Sequence, residues 1–226
     1  MQQIEKNTVK AENQLGDAHD VTFECEENKG LRVMMAGNSI TLHEPKPEIG
    51  WNNQWGMAAS SKDKDYVHVL KNHIQGVAPD ATFCICQAYK WERDFANGKD
   101  AYPIYEKARD FNADVIVVRF IENCPWKEFD PVVFKKEYVD FIDFLNKSGN
   151  AKIIVTTSFW KHVADAVVEE AAKENGWSFI SINDLGELDE MKALGKFEHY
   201  GVANHPGDLG MKTIADRIFD EVKKLI

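Results

Sequence analysis

Two residues far apart in the chain have side chains suited to nucleophilic catalysis. Ser39 follows the apolar run LRVMMA (31–36) in the sequence Gly37-Asn38-Ser39, where a hydroxyl would emerge at the carboxyl edge of a strand. His205 lies in the loop sequence NHPGD, and an imidazole at such an edge can act as a general base near neutral pH. Each feature is weak by itself, because serine also caps helices routinely and a lone histidine is more often structural. The two residues are therefore a candidate pair only if the fold brings them together.

Two further residues could stabilise an oxyanion, the negatively charged oxygen of a tetrahedral intermediate. Gly56 lies in a loop beside Trp51 and Trp55, and a glycine allows its backbone N–H to approach a ligand closely. Asn123 follows the apolar run ADVIVVRFI (113–121), and its side-chain amide can donate a hydrogen bond. The alternatives are that Gly56 is only a turn residue and that Asn123 only belongs to a loop, since asparagine is common in turns.

These residues need a scaffold, and the hydrophobic pattern predicts one. Five short apolar runs have the length and composition of strands covered on both faces. Amphipathic helical segments lie between them, among them 134–145, 163–171 and a last helix for which Asp208 is the expected N-cap. Alternating strands and helices predict an α/β fold with a parallel sheet, in which sites form at the carboxyl ends of the strands. The five predicted strands are 31–36, 81–88, 113–121, 151–159 and 177–182.

Composition argues against several classes of function. The chain of 226 residues has 27 Lys and Arg against 37 Asp and Glu, a formal charge of −10, which disfavours nucleic-acid binding. No apolar stretch approaches the ~20 residues needed to span a bilayer, so no membrane partner is expected. The N-terminal segment lacks the apolar core of a signal peptide, so we expect a cytoplasmic protein, or a secreted or periplasmic one if a signal peptide was removed before this numbering. The cysteines lack zinc-type spacing and are expected to be buried free thiols: Cys25, Cys84, Cys86 and Cys124.

Taken in order, the motifs GNSIT, QWGMAAS, IEN and NHPGDLGM resemble the sequence blocks of the SGNH (GDSL-type) hydrolases. The resemblance implies a three-layer, flavodoxin-like α/β fold with a central, mostly parallel five-stranded sheet. It also implies that residues 29–226 form the SGNH domain, with 1–28 as an N-terminal leader or an extra strand. By the same resemblance Ser39 is the nucleophile, His205 is the base, and Ser39, Gly56 and Asn123 form the oxyanion hole.

One position departs from the pattern of this family. The family usually has an aspartate three residues before the histidine, and Val202 stands there instead. We expect a backbone carbonyl near Val202 or Ala203 to accept the hydrogen bond from His205 Nδ1, which would leave a Ser-His dyad. The alternatives are an impaired enzyme or a carboxylate from elsewhere in the chain, for which the candidates are Glu44, Glu122 and Glu198.

The resemblance implies a serine esterase that removes small acyl groups, above all acetyl, from carbohydrate, with no cofactor and no metal. The expected partner is a small-molecule or carbohydrate ester, and the oligomeric state is left open. Aromatic rings in the loops could offer flat faces to a sugar, although each tryptophan could equally pack into the core or its rim. The rings in question are Trp51, Trp55, Trp91 and Trp126, and the residues expected to contact substrate are Trp51, Trp55, Glu122 and Trp126.

Two other functions fit parts of the sequence. A non-catalytic carbohydrate-binding protein that kept the fold would explain the missing aspartate, but it would not need Ser39, Gly56, Asn123 and His205 together. A flavodoxin-like mononucleotide binder fits the alternation of strands and helices. It is disfavoured because GNSIT is not a phosphate-binding loop and no GxGxxG follows a strand.

Overall fold

A mixed six-stranded sheet forms the centre of the protein. The structure is a computed structural model that describes residues 20–24, 30–127 and 129–226. Cys25 and most of the predicted leader therefore lie outside the described residues. The strands are β1 Val21–Glu24, β2 Arg32–Gly37, β3 Thr82–Gln87, β4 Val115–Arg119, β5 Lys152–Thr156 and β6 Ser178–Ile180.

The strand order is β1-β3-β2-β4-β5-β6, and every neighbouring pair is parallel except β1 with β3. The five predicted strands are confirmed as β2 to β6, and the fold class is confirmed with them. The sixth strand is the short segment VTFE, which pairs antiparallel at the edge beside β3. Val21 is buried, whereas Phe23 on the same face of the strand remains 45% exposed, so this edge strand is only partly covered.

Helices cover both faces of the sheet. Alternate residues of β2 point to opposite sides, so that Met34 packs in one hydrophobic cluster and Met35 in the other. The cluster around Met34 includes residues of α2 to α5, and the cluster around Met35 includes residues of α1 and α7. The helices are α1 Tyr66–Val77, α2 Tyr89–Arg93, α3 Tyr102–Phe111, α4 Pro131–Leu145, α5 Asp165–Asn175, α6 Tyr200–Ala203 and α7 Asp208–Val222.

The register of the sheet brings three strand ends together. Gly37, the last residue of β2, lies opposite Gln87 of β3 and Arg119 of β4. The segments that follow these three strands therefore leave the sheet at the same edge. This edge is where the candidate residues after β2 and β4 are expected to meet.

Asp208 differs from its predicted role as the N-cap of the last helix. It is the first residue of α7, and Gly207 occupies the cap position. The Asp208 carboxylate instead accepts hydrogen bonds from the backbone N–H of Ser60 at 2.8 Å and from its hydroxyl at 2.7 Å. This contact ties the loop after Gly56 to the helix that follows His205.

Two predictions made from composition can also be compared with the structure. Cys86 and Cys124 are buried free thiols, as expected, and Cys84 is buried as well. Within residues 20–24, 30–127 and 129–226, none of the helices has both the length and the apolar character needed to cross a membrane.

Candidate active site

Ser39 and His205 meet at the carboxyl edge of the sheet, with 2.9 Å between Ser39 Oγ and His205 Nε2. Ser39 lies in a tight turn directly after β2, in which Asn38 O accepts from the N–H groups of Thr41 and Leu42. A Cβ atom at Gly37 would lie 1.7 Å from Thr41 Oγ1, so only glycine allows this exit from the strand.

The other ring nitrogen of His205 is held by the main chain. Nδ1 lies 2.7 Å from the carbonyl oxygen of Gly201, in the one-turn helix α6. Because a carbonyl can only accept, Nδ1 carries the proton and Nε2 presents a lone pair to the Ser39 hydroxyl. Burial lowers the pKa of His205 to about 4, against the opposing effect of the Gly201 hydrogen bond. The imidazole is therefore neutral at pH 7 and able to accept a proton.

None of the described carboxylates contacts His205 Nδ1. Val202, at the position of the usual aspartate, is 1% exposed and packs in a hydrophobic cluster with Trp51. Glu44 and Glu198 are exposed. The Glu122 carboxylate accepts hydrogen bonds from Arg119, Asn38 and the Phe159 N–H instead. The orienting group on His205 in this structure is the Gly201 carbonyl.

The expectation for Gly56 as an oxyanion donor is wrong in this structure. Its N–H donates to the buried carboxylate of Asp65 at 3.0 Å and is not free for a ligand. The loop around Gly56 packs against the back of the Ser39 turn, where Met57 N–H donates to Ser39 O at 2.8 Å. The glycine is required by this close approach, because a Cβ at Gly56 would lie 2.4 Å from Ile40 O.

Two candidate oxyanion donors remain. The backbone N–H of Ser39 has no acceptor among the described residues. Asn123 follows β4 and lines the same cleft as Ser39. Its Nδ2 donates one hydrogen to Glu92 Oε2 at 2.7 Å, and the second hydrogen has no acceptor among the described residues.

A buried polar network beneath these groups was not anticipated from the sequence. Arg119, at the end of β4, donates to Glu122 Oε1 at 2.8 Å and to Asn38 Oδ1 at 2.6 Å. Asn38 Nδ2 donates in turn to Glu122 Oε2 at 2.6 Å and to Glu92 Oε1 at 3.0 Å. The signal that could have revealed the network is Arg119 itself, a charged residue inside an otherwise apolar run.

The two carboxylates of the network, Glu122 and Glu92, have pKa values that are shifted in opposite directions. Burial by itself raises the pKa of Glu122, but Arg119 and the N–H of Phe159 outweigh it and lower that pKa. None of the described cations pairs with Glu92, and burial together with the nearby Glu122 charge raises the pKa of Glu92 to about 7. The expectation that Glu122 contacts substrate is thus wrong, because its oxygens are engaged by Arg119, Asn38 and Phe159.

The cleft beside Ser39 has a volume of about 640 Å³ and a largely polar lining. Charged side chains of both signs contribute to it, among them Glu44, Lys90 and Arg93. His43 also lines this cleft, and a positive charge on His43 would lower the pKa of His205 further.

The tryptophans divide between core and surface. Trp51 is 0% exposed, so the expectation that it contacts substrate is wrong, and Trp91, also 0% exposed, packs in the core and offers no face to a sugar. Trp55 is half-buried and donates to Ala59 O at 3.0 Å. Trp126 is 58% exposed, with its ring against that of His162 at 4.6 Å between centroids. Sequence reasoning overlooked Trp160, whose ring packs edge-on against His205 at 5.0 Å.

Comparison of the whole chain with known proteins finds likeness in structure alone. No protein-family model matches the sequence, and no curated protein matches it either. Several solved structures do match, and three of them, each at 15% identity or less, are compared below.

The psychrotrophic esterase EstA from Pseudoalteromonas sp. is 10% identical, with a TM-score of 0.54, over 85% of this chain and 97% of EstA. A G-D-S-L family protein from Desulfitobacterium hafniense is 13% identical, with a TM-score of 0.50, over 86% of this chain and 99% of that one. A family two carbohydrate esterase from Clostridium thermocellum, solved with cellohexaose, is 15% identical with a TM-score of 0.54. That match covers 86% of this chain but only 64% of the carbohydrate esterase. The chain therefore has the fold of the SGNH hydrolases, as its sequence motifs imply.

Proposed function

We propose that this chain, which has the SGNH hydrolase fold, is a serine esterase acting through a Ser39–His205 dyad. The observation that carries the proposal is the 2.9 Å contact between Ser39 Oγ and His205 Nε2. The proton on Nδ1 is held by Gly201 O, so Nε2 is the nitrogen that accepts. The esterases among the structural neighbours support the same reaction class.

In the proposed reaction, Ser39 Oγ attacks the ester carbonyl while His205 Nε2 takes its proton. The oxygen of the tetrahedral intermediate receives hydrogen bonds from Ser39 N–H and from the free hydrogen of Asn123 Nδ2. Such donors are typically worth about 3 kcal/mol each. The imidazolium then gives its proton to the departing alcohol, an acyl-enzyme remains on Ser39, and a water activated by His205 releases the acid.

The Gly201 carbonyl performs part of the role of a triad aspartate. It fixes the tautomer and orientation of the ring, which are two of the roles of a triad carboxylate. It lacks the negative charge that would stabilise the imidazolium, and burial already lowers the pKa of His205 to about 4. We therefore propose a working dyad with a slower chemical step than a full triad would allow.

The proposed substrate is a small acyl ester, chiefly acetyl, on carbohydrate. The polar cleft beside Ser39 suits hydroxyl-bearing alcohol moieties better than long acyl chains. Trp126 offers an exposed ring in the loop after β4 that suits packing against a sugar. The carbohydrate esterase among the neighbours supports this substrate class.

The experiment is hydrolysis of p-nitrophenyl acetate and of acetylated sugars by wild type and Ser39→Ala. We expect activity in the wild type and none in the variant, with an unchanged circular dichroism spectrum. Ser148→Ala is the matched control, because Ser148 is an exposed serine in the loop before β5. Hydrolysis that persists in Ser39→Ala would remove Ser39 from the proposed role.

A second candidate function is a carbohydrate-binding protein with impaired catalysis. Two observations favour it: Gly56 N–H is engaged by Asp65, and no described carboxylate reaches His205 Nδ1. In that case the wild type would hydrolyse none of these esters. Isothermal titration with oligosaccharides would instead show binding that Trp126→Ala weakens.

A further inference from the structure

Glu92 is a fully buried carboxylate that the proposed reaction does not use. It lies on the short helix α2, which follows β3, and its side chain is 0% exposed. Burying a charged group is costly unless hydrogen bonds compensate it, so its partners indicate what holds it there.

Three N–H groups donate to Glu92, and two of them belong to Asn123. Asn123 Nδ2 donates to Oε2 at 2.7 Å, and the Asn123 backbone N–H donates to Oε1 at 3.3 Å. The third donor is Asn38 Nδ2, at 3.0 Å from Oε1, from the residue that precedes Ser39. The carboxylate therefore contacts the segment that carries Ser39 and the segment that carries Asn123.

All three partners are donors, which is the pattern that an ionised carboxylate satisfies. A carboxylate accepts on both oxygens, so Asn123 must turn its NH₂ group, and not its oxygen, toward Glu92. The side-chain amide of Asn123 is thereby fixed in one of its two orientations. One hydrogen of Nδ2 is used by Glu92, and the other is left for a ligand in the cleft.

We infer that Glu92 is a positioning residue, whose carboxylate fixes the Asn123 amide in the orientation that donates to the oxyanion. This inference rests on the proposed esterase function. It assigns to a residue that contacts no substrate a role in the stabilisation of the transition state.

The surroundings of Glu92 make its charge dependent on pH. Among the residues that the structure describes, the titratable groups that interact electrostatically with Glu92 are Glu122, Cys124 and Tyr105, and none of them is a cation. Arg119 pairs with Glu122, so Glu92 has no counter-ion of its own within the described part of the chain. Burial and the Glu122 charge raise the pKa of Glu92 to about 7. Protonation of the Glu92 carboxylate removes one of its acceptor sites, and the Asn123 amide then loses the hydrogen bond that fixes its orientation.

Glu92→Gln tests the orientation directly. If the glutamine oxygen accepts from Asn38 and from the Asn123 backbone, its NH₂ group faces the NH₂ group of Asn123. Two donors repel, so the Asn123 amide turns away. We expect kcat to fall roughly 10–100-fold with little change in KM, less than the roughly 10²–10³ lost when the donor itself is removed in Asn123→Ala.

A double-mutant cycle separates positioning from a general structural effect. If Glu92 acts through Asn123, Glu92→Gln added to Asn123→Ala lowers kcat no further. Independent, multiplying losses would overturn the inference, as would a single variant with kcat within threefold of wild type. Glu169→Gln, an exposed glutamate on α5, is the matched control and should leave kcat and the melting temperature unchanged.

The pH profile provides a readout that loss of packing does not reproduce. Wild-type kcat should fall as pH decreases through the Glu92 pKa of about 7, since the acceptor is then lost. In Glu92→Gln, kcat should not decrease near pH 7, and the only decrease should occur near the His205 pKa of about 4. A wild-type profile that is flat through neutral pH and falls only with His205 would contradict the inference.

A measurement without catalysis distinguishes failure of this inference from failure of the esterase proposal. The side-chain NH₂ resonances of Asn123 in ¹⁵N-labelled protein, assigned by their loss in Asn123→Ala, should shift on titration through neutral pH. They should not shift in Glu92→Gln. An inactive wild type that retains this titration would refute the esterase and leave the Glu92–Asn123 coupling intact. Resonances that do not respond to pH or to the Glu92 substitution would refute the coupling.

Discussion

His205 Nδ1 lies 2.7 Å from the carbonyl oxygen of Gly201, four residues earlier in the chain. The acceptor comes from the main chain of α6, so no side chain is needed to fix the imidazole. The opposite nitrogen faces Ser39 Oγ at 2.9 Å across a sequence separation of 166 residues. The absence of an aspartate at position 202 is therefore compatible with an oriented histidine.

Removing the exposed carboxylates near the site should leave catalysis intact. Neither Glu44 nor Glu198 contacts His205, so Glu44→Gln and Glu198→Gln should each keep kcat within a few-fold of wild type. Steady-state kinetics on p-nitrophenyl acetate provides the measurement. A loss near the roughly 10⁴ seen when a serine protease loses its triad aspartate would identify a displaced acid and refute the dyad.

Restoring the aspartate at position 202 should damage the protein and not improve it. Val202 is 1% exposed in the cluster around Trp51, so Val202→Asp buries an unpaired carboxylate. We expect a lower free energy of unfolding, by at least about 2 kcal/mol, and no gain in kcat. Val202→Ala serves as the control for lost packing alone. A stable Val202→Asp with a raised rate would mean that this side chain can reach the imidazole.

Replacement by alanine should lower stability at Trp51 and weaken substrate binding at Trp126. Trp51 is fully buried, so Trp51→Ala should lower the free energy of unfolding by about 3–5 kcal/mol. Trp126 is 58% exposed, so Trp126→Ala should leave stability within about 0.5 kcal/mol of wild type. On an acetylated sugar, Trp126→Ala should raise KM with kcat unchanged. An unchanged KM on every sugar ester tested would remove Trp126 from substrate binding.

His68 links the edge strand β1 to α1, and loss of its proton should lower the stability of the fold at alkaline pH. Its Nδ1 lies 2.7 Å from Asp65 Oδ1, and its Nε2 lies 2.9 Å from Glu24 Oε1. Burial by itself lowers the pKa of His68, but the two carboxylates outweigh it and raise that pKa to about 9. Because the folded pKa exceeds the unfolded value, the stabilisation is fully present below about pH 6.5 and is lost as pH rises through about 9.

Urea unfolding at both ends of this pH range measures the effect of His68. Between pH 6.5 and 9.5, we expect the free energy of unfolding of the wild type to fall by on the order of 2 kcal/mol more than that of His68→Gln. The variant is the control for all other groups that titrate in this range. Equal losses in the two proteins would show that His68 is not held as a cation.

Local patterns predicted the sheet, because continuous apolar runs identify buried strands almost regardless of context. They also singled out Ser39, Asn123 and His205, whose surroundings follow from the strand or helix beside each. They failed for Gly56, since only the packing of its loop shows that Asp65 takes its N–H. They failed for Trp51 in the same way, because a tryptophan in a loop can face the core or the solvent.

Glu92 was beyond prediction for a different reason. Its partners, Asn38 and Asn123, come from two other segments of the chain, so no local pattern contains the contact. Arg119 and Glu122 do lie three residues apart, but their burial depends on the register of β2 and β4. Sites assembled from several strand ends are therefore visible in sequence only as separate weak signals.

The most direct test of the Ser39–His205 dyad is covalent labelling by a serine-directed phosphonate ester, followed by peptide mass spectrometry. Ser39 Oγ is the hydroxyl paired with the lone pair of His205 Nε2, so it alone should be activated. We expect one adduct, on Ser39, that is absent from Ser39→Ala and strongly reduced in His205→Ala. An adduct on Ser60 or Ser158, or labelling of Ser39 that does not depend on His205, would contradict it.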